Sequence, residues 1–496
     1  MIFFEPVRDR AHAPGLVDQT VTAVTGAIRQ QLLRPGMAMP SLRAFARTHG
    51  LSTFTVSAAY SRLVAQGWLT SRPGSGYRVA GLAAAGTGVA GAVMARSGLA
   101  RTASAGWQPP QIGASWLLAD VFADHSIPIK SGCGWLPAEW LNESGLQQSL
   151  RQVSRTPVNQ IAGYGHPYGY FPLREHVQQS LRGHGLHLEM DQILLTQGAT
   201  QALDIVIRTL LRPGDTIAVE VPCYANFLQA LRLAGIVVIG VPRTVQGLSI
   251  DALERVARAH PVKALFVNTV LQNPTGVSLD MGSAFRLLQL AEQYDFRVIE
   301  DDVSRDLLPG LGALLVAMAG TQRVVYVSGF SKSITPSMRV GYLAADPALV
   351  KEFAKTKMTM GLTTPELMER TVCQVLRQGR HQAHLQRVQD RLRRAHDELC
   401  DVMDEHGFEI FARPQAGLFL WARPPGPWRE RGAAKLAELA LKDGIWLAPG
   451  SFFDPEQADT GWIRFNVAYS LHPALWQFMR KVGASAGKVT SSAERA

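Results

Sequence analysis

The sequence has few cysteines, and it lacks the cysteine and histidine pairs that metal sites and disulfide frameworks need. Among its 496 residues there are four cysteines, Cys133, Cys223, Cys373 and Cys400, and none of them belongs to a Cys-x-x-Cys pair. Scattered cysteines of this kind are typical of proteins in a reducing cytosol. We therefore expect neither disulfide bonds nor a metal at any functional site.

The sequence also lacks a long apolar run and a leader-like beginning. Its first residues, MIFFEPVRDR, do not combine a basic stretch with a following apolar stretch, as secretory signals do. The uncharged stretch 81–95 is short and rich in alanine and glycine, so it falls below the roughly 20 strongly apolar residues that a membrane span needs. These absences favour a cytoplasmic protein with no membrane partner.

Lysine is absent from the first 80 residues, where arginine supplies all of the positive charge. This region has nine arginines and three acidic residues, and the whole chain has a formal net charge of +10. A basic excess suggests an anionic partner such as nucleic acid, although solvated surface arginines explain the charge alone equally well. The motifs have to decide between these two explanations.

The segment 10–80 has the pattern of helix, helix, turn, helix and hairpin. Ser41 and Ser52 are good N-caps for a second and a third helix. An apolar stripe with helical spacing runs along the predicted third helix: Val56, Ala59, Tyr60 and Leu63. The turn Arg72-Pro73-Gly74-Ser75-Gly76 joins two short strands. This order predicts an α+β winged helix-turn-helix domain.

A winged helix-turn-helix lays its third helix in the major groove of DNA. Short side chains such as Thr53 and Ser57 allow close approach, and Arg43 and Arg72 can hold phosphates or read guanine. The candidate DNA contacts are Ser41, Arg43, Ser52, Thr53, Thr55, Ser57, Arg72, Gly74 and Ser75. The predicted partner is double-stranded operator DNA, and the alternative is a winged-helix module that binds another protein.

This part of the chain resembles the GntR family of bacterial regulators. The resemblance covers Leu32–Val79 and includes the start of the second helix at Pro40-Ser41 and the Arg-Pro-Gly-Ser-Gly wing. It implies that the head binds an operator. The family usually has an arginine early in the third helix, where this chain has Thr53, so the base contacts of the head must differ from the usual ones.

Composition divides the rest of the chain into three parts. Residues 81–115 are rich in alanine, glycine, serine and threonine, which is typical of a flexible linker. In 116–482, short β-rich runs alternate with helical stretches, which predicts an α/β domain with a mostly parallel sheet and a smaller C-terminal α+β subdomain. Residues 483–496 are small and polar, so we expect a disordered tail.

Several motifs of the α/β part follow predicted strands. Ser331-Lys332 comes after one apolar strand, and Glu300-Asp301-Asp302 ends another. A carboxylate at the carboxyl end of a strand lies where α/β sheets bind their ligands. Asn273-Pro274-Thr275-Gly276 follows a third strand, and the small residues of Thr196–Ala202 open a helix. Each motif alone is better explained as a turn or a core element, so only their order is informative.

Together these motifs suit pyridoxal 5′-phosphate. A lysine forms a Schiff base with its aldehyde, and a carboxylate keeps the pyridine nitrogen protonated so that the ring withdraws electrons. Backbone amides at a helix N-terminus can hold its phosphate. An asparagine can bond the ring hydroxyl, and an aromatic side chain can stack on the ring. We therefore expect pyridoxal phosphate as the cofactor.

The body of the chain resembles a fold-type-I aminotransferase, and the whole chain resembles the MocR subgroup of GntR regulators. The resemblance covers 127–469 and implies that Lys332 forms the Schiff base and that Asp301 faces the pyridine nitrogen. The other implied cofactor contacts are Ala199, Thr200, Tyr224, Asn273, Ser328 and Arg339. Arg464 would hold the α-carboxylate of an amino acid or a related effector. Tyr164 would reach the partner subunit's site in a homodimer, for which a head-to-tail arrangement is one form.

Two positions depart from the resemblance. Ser304 stands where related sequences usually have a tyrosine near the aspartate, and Gly329 stands where they usually have serine or threonine. These replacements weaken the case for efficient transamination. The leading hypothesis is a regulator whose cofactor-binding body controls operator binding. The alternatives are an active aminotransferase with an accessory head, and a regulator whose body has lost the cofactor.

Overall fold

The computed structural model of the chain describes residues 15–29, 32–34, 36–72, 76–80, 127–141, 143–310 and 312–493, together with Pro6. It divides into two compact units, a head within residues 1–108 and a body within residues 109–496. The linker expected at 81–115, the start of the body at 116 and the wing residues Gly74 and Ser75 lie outside the described residues.

The head contains three helices followed by a β-hairpin, as predicted. Its elements are α1 (Leu16–Arg29), α2 (Leu42–Thr48), α3 (Thr53–Ala65), β1 (Leu69–Arg72) and β2 (Gly76–Val79). The two strands pair antiparallel, with Leu69 opposite Val79. Ala38, outside the two strands, forms a single antiparallel bridge with Arg78. The predicted winged helix-turn-helix is confirmed.

Caps and one apolar stripe explain why these helices form. The Ser41 hydroxyl accepts a hydrogen bond from the Ala44 amide at 3.2 Å, and the Ser52 hydroxyl accepts one from the Thr55 amide at 3.0 Å. The predicted stripe on α3 is fully buried: Val56, Ala59, Tyr60 and Leu63. Burying this stripe against α1 and α2 leaves the small polar face of α3 toward solvent.

An eight-stranded sheet forms the centre of the body, in the order β3-β10-β9-β8-β7-β4-β5-β6. Its strands are β3 (Ile193–Thr196), β4 (Thr216–Val221), β5 (Val237–Thr244), β6 (Gly247–Leu248), β7 (Val262–Asn268), β8 (Arg297–Asp301), β9 (Val324–Gly329) and β10 (Gly341–Ala344). Strands β5, β4, β7, β8 and β9 run parallel, whereas β10 is antiparallel to β3 and β9. The carboxyl ends of the parallel strands therefore meet at one edge.

Helices cover both faces of this sheet. The helices before and between its strands are α4 (Glu143–Val153), α5 (Phe171–Gly183), α6 (Gly198–Leu210), α7 (Ala225–Leu233), α8 (Ile250–Ala259), α9 (Met281–Gln293) and α10 (Leu315–Ala319), and those after its last strand are α11 (Pro347–Gly361) and α12 (Glu366–Arg377). Successive residues of β7 belong to different cores: Leu265 packs with α5, α8 and α9, and Phe266 packs with α6, α7 and α11. The predicted α/β architecture is confirmed.

A smaller antiparallel sheet completes the body, in the order β11-β12-β14-β13. Its elements and the surrounding helices are α13 (His381–Glu405), β11 (Glu409–Ile410), β12 (Phe419–Arg423), α14 (Trp428–Arg431), α15 (Ala433–Lys442), β13 (Ala448–Pro449), β14 (Ile463–Asn466) and α16 (Pro473–Ala493). In the part of the chain that the structure describes, no helix is long and apolar enough to cross a membrane.

The prediction of a disordered tail at 483–496 is wrong for most of that segment. Helix α16 continues to Ala493, so the expected domain end at residue 482 falls inside a helix. The stretch 483–493 contains no proline, and a glycine inside a helix costs only about 1 kcal/mol relative to alanine. A small, polar composition was therefore a poor sign of disorder here.

A fully buried ion pair joins two central strands of the body. Glu220 on β4 pairs with Arg243 on β5, and neither side chain is exposed. Glu220 also accepts a hydrogen bond from the Asn268 amide at 3.0 Å, and Arg243 donates to the carbonyl oxygens of Asn268 at 3.2 Å and Val277 at 2.7 Å. The pair therefore fixes the carboxyl end of β7.

We predict that Arg243→Met destabilises the body by about 3–5 kcal/mol, because it leaves the Glu220 carboxylate buried without its partner. The free energy of unfolding in urea, followed by tryptophan fluorescence, measures this loss. Arg258→Met is the matched control, because Arg258 and Glu254 form an exposed ion pair that contributes about 1 kcal/mol or less. Equal effects of the two substitutions would contradict the structural role of the buried pair.

Candidate functional site

A cavity of about 320 Å³ lies in the body where the parallel strands end. Eight residues predicted to contact the cofactor or its effector line it together: Ala199, Thr200, Tyr224, Asn273, Asp301, Lys332, Arg339 and Arg464. These residues come from separate turns, helices and strands that lie far apart in the sequence. The structure therefore brings the predicted motifs into one site.

Lys332 lies in the turn after β9, and its amino group donates a hydrogen bond to the Gly134 carbonyl oxygen. Burial lowers the pKa of Lys332 to about 8, and the positive charges of Arg464 and Arg339 act in the same direction. The negative charge of Asp301 opposes this shift. More of the amine is therefore neutral near pH 7 than in an exposed lysine, and only a neutral amine is a nucleophile.

Asp301 ends strand β8 and is buried beside Asn268, which ends the neighbouring strand β7. Burial raises the pKa of Asp301 to about 6, while hydrogen bonds from Asn268 and from the Val303 amide oppose the shift. The Asn268 Oδ1 atom is buried and has no hydrogen-bond partner among the described residues. This wall of the cavity can therefore accept hydrogen bonds from a ligand.

The N-terminus of helix α6 forms another part of the cavity wall, which Ala199 and Thr200 line. The helix begins at Gly198, whose φ is +77°, so the amides of Ala199 and Thr200 lie in its first turn. A Cβ atom on Gly341 would lie 2.6 Å from the carbonyl carbon of Gly198, so only glycine lets β10 approach this closely. Arg339 donates to the Gln197 carbonyl oxygen at 3.4 Å. Amides and a guanidinium at a helix start favour a phosphate.

The same close approach explains Gly329. A Cβ atom at this position would lie 3.1 Å from the Gly341 Cα and 3.2 Å from the Val340 carbonyl oxygen. A serine or threonine would therefore press on strand β10, which is itself packed against the start of α6. Ser331, which the motif analysis did not assign to the cofactor, lines the cavity instead and offers a hydroxyl group.

Ser328 was predicted to contact the cofactor, but it does not line this cavity. Its hydroxyl donates to the Asp302 carbonyl oxygen at 3.0 Å, and the residue lines a different, smaller cavity with Tyr326 and His381. Side chains alternate between the two faces of a strand, so Ser328 and Tyr326 share the face that lines the smaller cavity, which does not include Lys332. The prediction for Ser328 is wrong because it took sequence proximity to the lysine as spatial proximity.

Arg464 is a rigidly held, buried cation at the edge of the cavity. Its guanidinium donates to the Asn273 side-chain oxygen at 2.8 Å and to the Gly132 carbonyl oxygen at 2.6 Å. The guanidinium carbon lies 4.6 Å from the ring centre of Phe419 and 4.8 Å from that of Phe453. Burial lowers the pKa of Arg464 to about 10, so it remains charged at neutral pH. Such a group suits a carboxylate ligand.

Tyr224 forms part of the wall next to the helix start. Its hydroxyl accepts a hydrogen bond from the Asn226 side chain at 3.2 Å. Burial raises the pKa of Tyr224, although a hydrogen bond with Thr200 opposes the shift, so the phenol stays protonated. The ring is therefore a neutral aromatic surface beside the cavity, as the predicted stacking role requires.

Tyr164 does not line this cavity, and its side chain is 84% exposed. The loop that carries it is nevertheless fixed by buried groups. Lys357 donates to the carbonyl oxygens of Pro167 at 2.9 Å and Leu195 at 2.8 Å, and Glu369 accepts from the Tyr170 amide at 2.8 Å. An exposed tyrosine on a fixed loop is compatible with its predicted contact to a partner subunit.

In the head, the predicted DNA contacts are in part caps of the helices. Arg43 and Thr53 are exposed, and the Ser52 hydroxyl lies 2.8 Å from that of Thr55. Ser41 is exposed and Ser57 is half-buried. The backbone of Arg72 ends β1, but its side chain lies outside the described residues, as do Gly74 and Ser75. The predicted surface is therefore described for α2 and α3 and not for the wing.

Several residues of the cavity were not predicted from the motifs: Gly134, Trp135, Asn226, Asn268, Ser331, Trp446 and Phe453. Asn268 was detectable, because it ends a predicted strand next to the strand that Asp301 ends. Gly134 and Trp446 come from distant parts of the chain, so nothing in the sequence pairs them with Lys332. No group of three or more metal-ligating side chains occurs in the described residues.

Two family models match the chain. Residues 16–79 match the bacterial regulatory proteins of the gntR family, and residues 146–474 match the class I and II aminotransferases. The HTH-type transcriptional regulator YdcR of Escherichia coli K12 is 30% identical over 92% of this chain and 96% of its own length. The probable rhizopine catabolism regulatory protein MocR of Rhizobium meliloti is 28% identical over 72% of this chain and 70% of its own length.

Among solved structures, the body is similar to LysN, the α-aminoadipate aminotransferase of Thermus thermophilus, determined with N-(5′-phosphopyridoxyl)-L-leucine. The two are 26% identical with a TM-score of 0.66, and the match covers 73% of this chain and 93% of LysN. The chain therefore belongs to the class I and II aminotransferase family. More narrowly, it is a GntR-type regulator of the MocR kind, in which a helix-turn-helix head precedes the aminotransferase domain.

We predict that added pyridoxal phosphate reacts with Lys332 about tenfold faster for each pH unit up to about 8 and at a constant rate above it, because the neutral amine reacts. In Arg464→Met the levelling point moves to higher pH, since a cation that lowers the pKa of Lys332 is gone. Stopped-flow absorbance measures the rate. Arg413→Met, outside the cavity, is the control, and a wild-type rate that still rises tenfold per unit well above pH 8 would contradict the prediction.

Proposed function

We propose that this chain is a transcription regulator whose body binds pyridoxal phosphate and an amino-acid-like effector, and that this binding controls operator binding by the head. One observation carries the proposal. A single cavity gathers a buried lysine, a buried carboxyl group, a helix N-terminus and a buried arginine, in a chain whose first domain is of the gntR family.

The cavity residues fit the cofactor. Lys332 would bond to its aldehyde carbon, and Asp301 would accept a hydrogen bond from the protonated pyridine nitrogen. The amides of Ala199 and Thr200, with Arg339, would hold the phosphate, and the ring of Tyr224 would stack on the pyridine ring. When bound, pyridoxal phosphate supplies an electrophilic carbon and an electron-withdrawing ring. The buried Asn268 Oδ1, which has no partner among the described residues, supports a polar ligand at this place.

An effector carboxylate is the expected ligand of Arg464. The guanidinium is already oriented by Asn273 and Gly132, so little side-chain entropy is lost when a carboxylate binds. Arg464 and Lys332 face the same cavity, and an amino acid presents a carboxylate and an amine on one carbon. The proposed effector class is therefore an amino acid or a related carboxylate. It changes operator binding only by its differential affinity for two arrangements of the heads.

An active aminotransferase is the second candidate function, because the cavity contains a buried lysine, a buried carboxyl group and the N-terminus of a helix. Ser304 lines the cavity where relatives usually have a tyrosine, so the ring hydroxyl lacks a phenol partner from that position. This replacement favours slow or absent turnover. Steady transamination of common amino acids at ordinary enzyme rates, about 1–1000 per second, would instead favour the enzyme.

We also propose a homodimer. Seven large apolar side chains are exposed around the Tyr164 loop and the nearby ends of α11 and α12: Val158, Tyr164, Phe171, Met358, Met360, Leu362 and Leu367. A second copy would cover this surface and bring Tyr164 to the partner's cavity, with a head-to-tail exchange of heads as one arrangement.

Operator DNA as partner also agrees with the cytoplasmic location that the sequence suggested.

The proposed ligand contacts predict two distinct losses. Lys332→Ala removes the visible absorbance of lysine-linked pyridoxal phosphate, because no amine remains to bond to the aldehyde. Arg464→Met keeps that absorbance but weakens amino acid binding about 10- to 100-fold, the loss expected for charged hydrogen bonds. Absorbance titration with pyridoxal phosphate and then with a panel of amino acids measures both.

The matched control is Lys355→Ala, an exposed lysine paired with Glu352 on α11, which should titrate like the wild type. Loss of the absorbance in this control would mean that the signal does not report on Lys332. An unchanged absorbance in Lys332→Ala would contradict the assigned linkage.

For the head, we predict that Arg43→Gln lowers the salt dependence of operator binding. A plot of log K against log salt concentration loses about 0.9 in slope for each phosphate contact removed, so a dimer with two heads on DNA loses about 1.8. Fluorescence anisotropy with a labelled duplex at several salt concentrations measures the slope. Arg255→Gln, an exposed arginine of α8, is the control, and an unchanged slope in Arg43→Gln would remove Arg43 from the interface.

A further inference from the structure

The exposed face of α3 has an unusual composition for a helix that reads DNA. Its exposed side chains include Thr53, Phe54 and Ser61, and Ser57 beside them is half-buried. The helix contains one charged residue, Arg62, and this arginine pairs with Asp18 of α1 at 2.5 Å. Arginine, lysine, asparagine and glutamine are the side chains that form bidentate contacts with bases, and none of them is free on this helix.

Phe54 is the exception on this polar face. Its side chain is 83% exposed, which makes it the most exposed large apolar side chain among the described residues of the head. It lies in the first turn of α3, between Thr53 and Thr55, directly after the Ser52 cap. The Ser52 and Thr55 hydroxyls bond each other at 2.8 Å, so the backbone that carries the phenyl ring is fixed. Nothing in the described part of the head covers the ring.

We propose that Phe54 reads a thymine of the operator through its 5-methyl group. The first residues of the recognition helix are those that contact base edges, and in the major groove thymine alone presents a methyl group, which apolar side chains contact. The inference rests on the proposed operator binding. It assigns the specificity of α3 to an apolar contact flanked by hydroxyl groups, where Thr53 cannot form a bidentate bond to guanine.

Charge complementarity favours DNA over a protein partner for this ring. The first 80 residues have nine arginines, no lysine and three acidic residues, and Arg43 and Arg47 of α2 are exposed. Arginines of α2 that bind phosphates would therefore place α3 in the major groove, with its uncharged face against the bases. If Phe54 bound a protein partner instead, its substitution would leave the affinity for DNA unchanged.

The test uses the full chain with pyridoxal phosphate and a pool of random DNA duplexes, from which bound duplexes are selected. Each thymine of a selected duplex is then replaced by uracil, which lacks only the methyl group. At one position in each half-site, uracil should weaken binding by the wild type about fourfold, the factor that corresponds to about 0.8 kcal/mol for one buried carbon group. Phe54→Ala should bind the thymine and uracil duplexes equally.

Two further variants separate base reading from folding. Phe54→Leu keeps an apolar side chain and should keep part of the preference for thymine. Leu32→Ala removes the other strongly exposed apolar side chain of the head, which is 66% exposed and lies outside α3, and should retain the full preference. Phe54→Ala should still bind the uracil duplex within about twofold of the wild type, whereas an unfolded head would not bind it.

Each result supports or overturns the assignment. Selected duplexes without a uracil-sensitive thymine, or a Phe54→Ala variant that keeps the wild-type preference, overturn the assignment of Phe54 while operator binding stands. If the pool yields no enriched duplex, the proposed operator binding fails, and the assignment fails with it.

Discussion

Parallel strands that end at one edge of the sheet are the constraint on which the candidate site depends. Strands β7 and β8 bring Asn268 and Asp301 side by side. Lys332 lies in the turn that follows the neighbouring strand β9. The carboxyl end of β7 is held by the buried Glu220–Arg243 pair, which bonds the backbone amide and carbonyl of Asn268. A shift of one residue would turn these side chains to the other face, so the chemistry of the cavity follows from the pairing of strands beneath it.

Charge is the second constraint on the cavity. Lys332 and Arg464 are two cations whose pKa values are lowered by burial, and Asp301 is the carboxyl group whose charge opposes the shift at Lys332. The helix start at Ala199 adds further positive potential. A cavity with this excess of positive charge is stabilised by bound anions. This agrees with a ligand that has a phosphate and with an effector that has a carboxylate.

Much of the fold and of the candidate site could be predicted from the sequence, because caps, apolar periodicity and strand ends are local signals. They located the winged head and the α/β body. Eight of the nine residues that they predicted to contact the cofactor or its effector line the cavity. Contacts between distant segments were not predictable, since nothing local links Gly134 to Lys332. Ser328 was assigned wrongly because the pleat decides which face a strand residue occupies, and the tail was assigned wrongly because α16 continues past Gly483.

The proposed regulation requires coupling between the body and the head, which operator binding by the full chain measures. The dissociation constant for a selected duplex should be measured without ligand, with pyridoxal phosphate, and with pyridoxal phosphate plus each amino acid. We predict a change of about 5- to 150-fold for at least one ligand in the wild type, and no such change in Lys332→Ala. The same dissociation constant under all conditions would contradict this prediction.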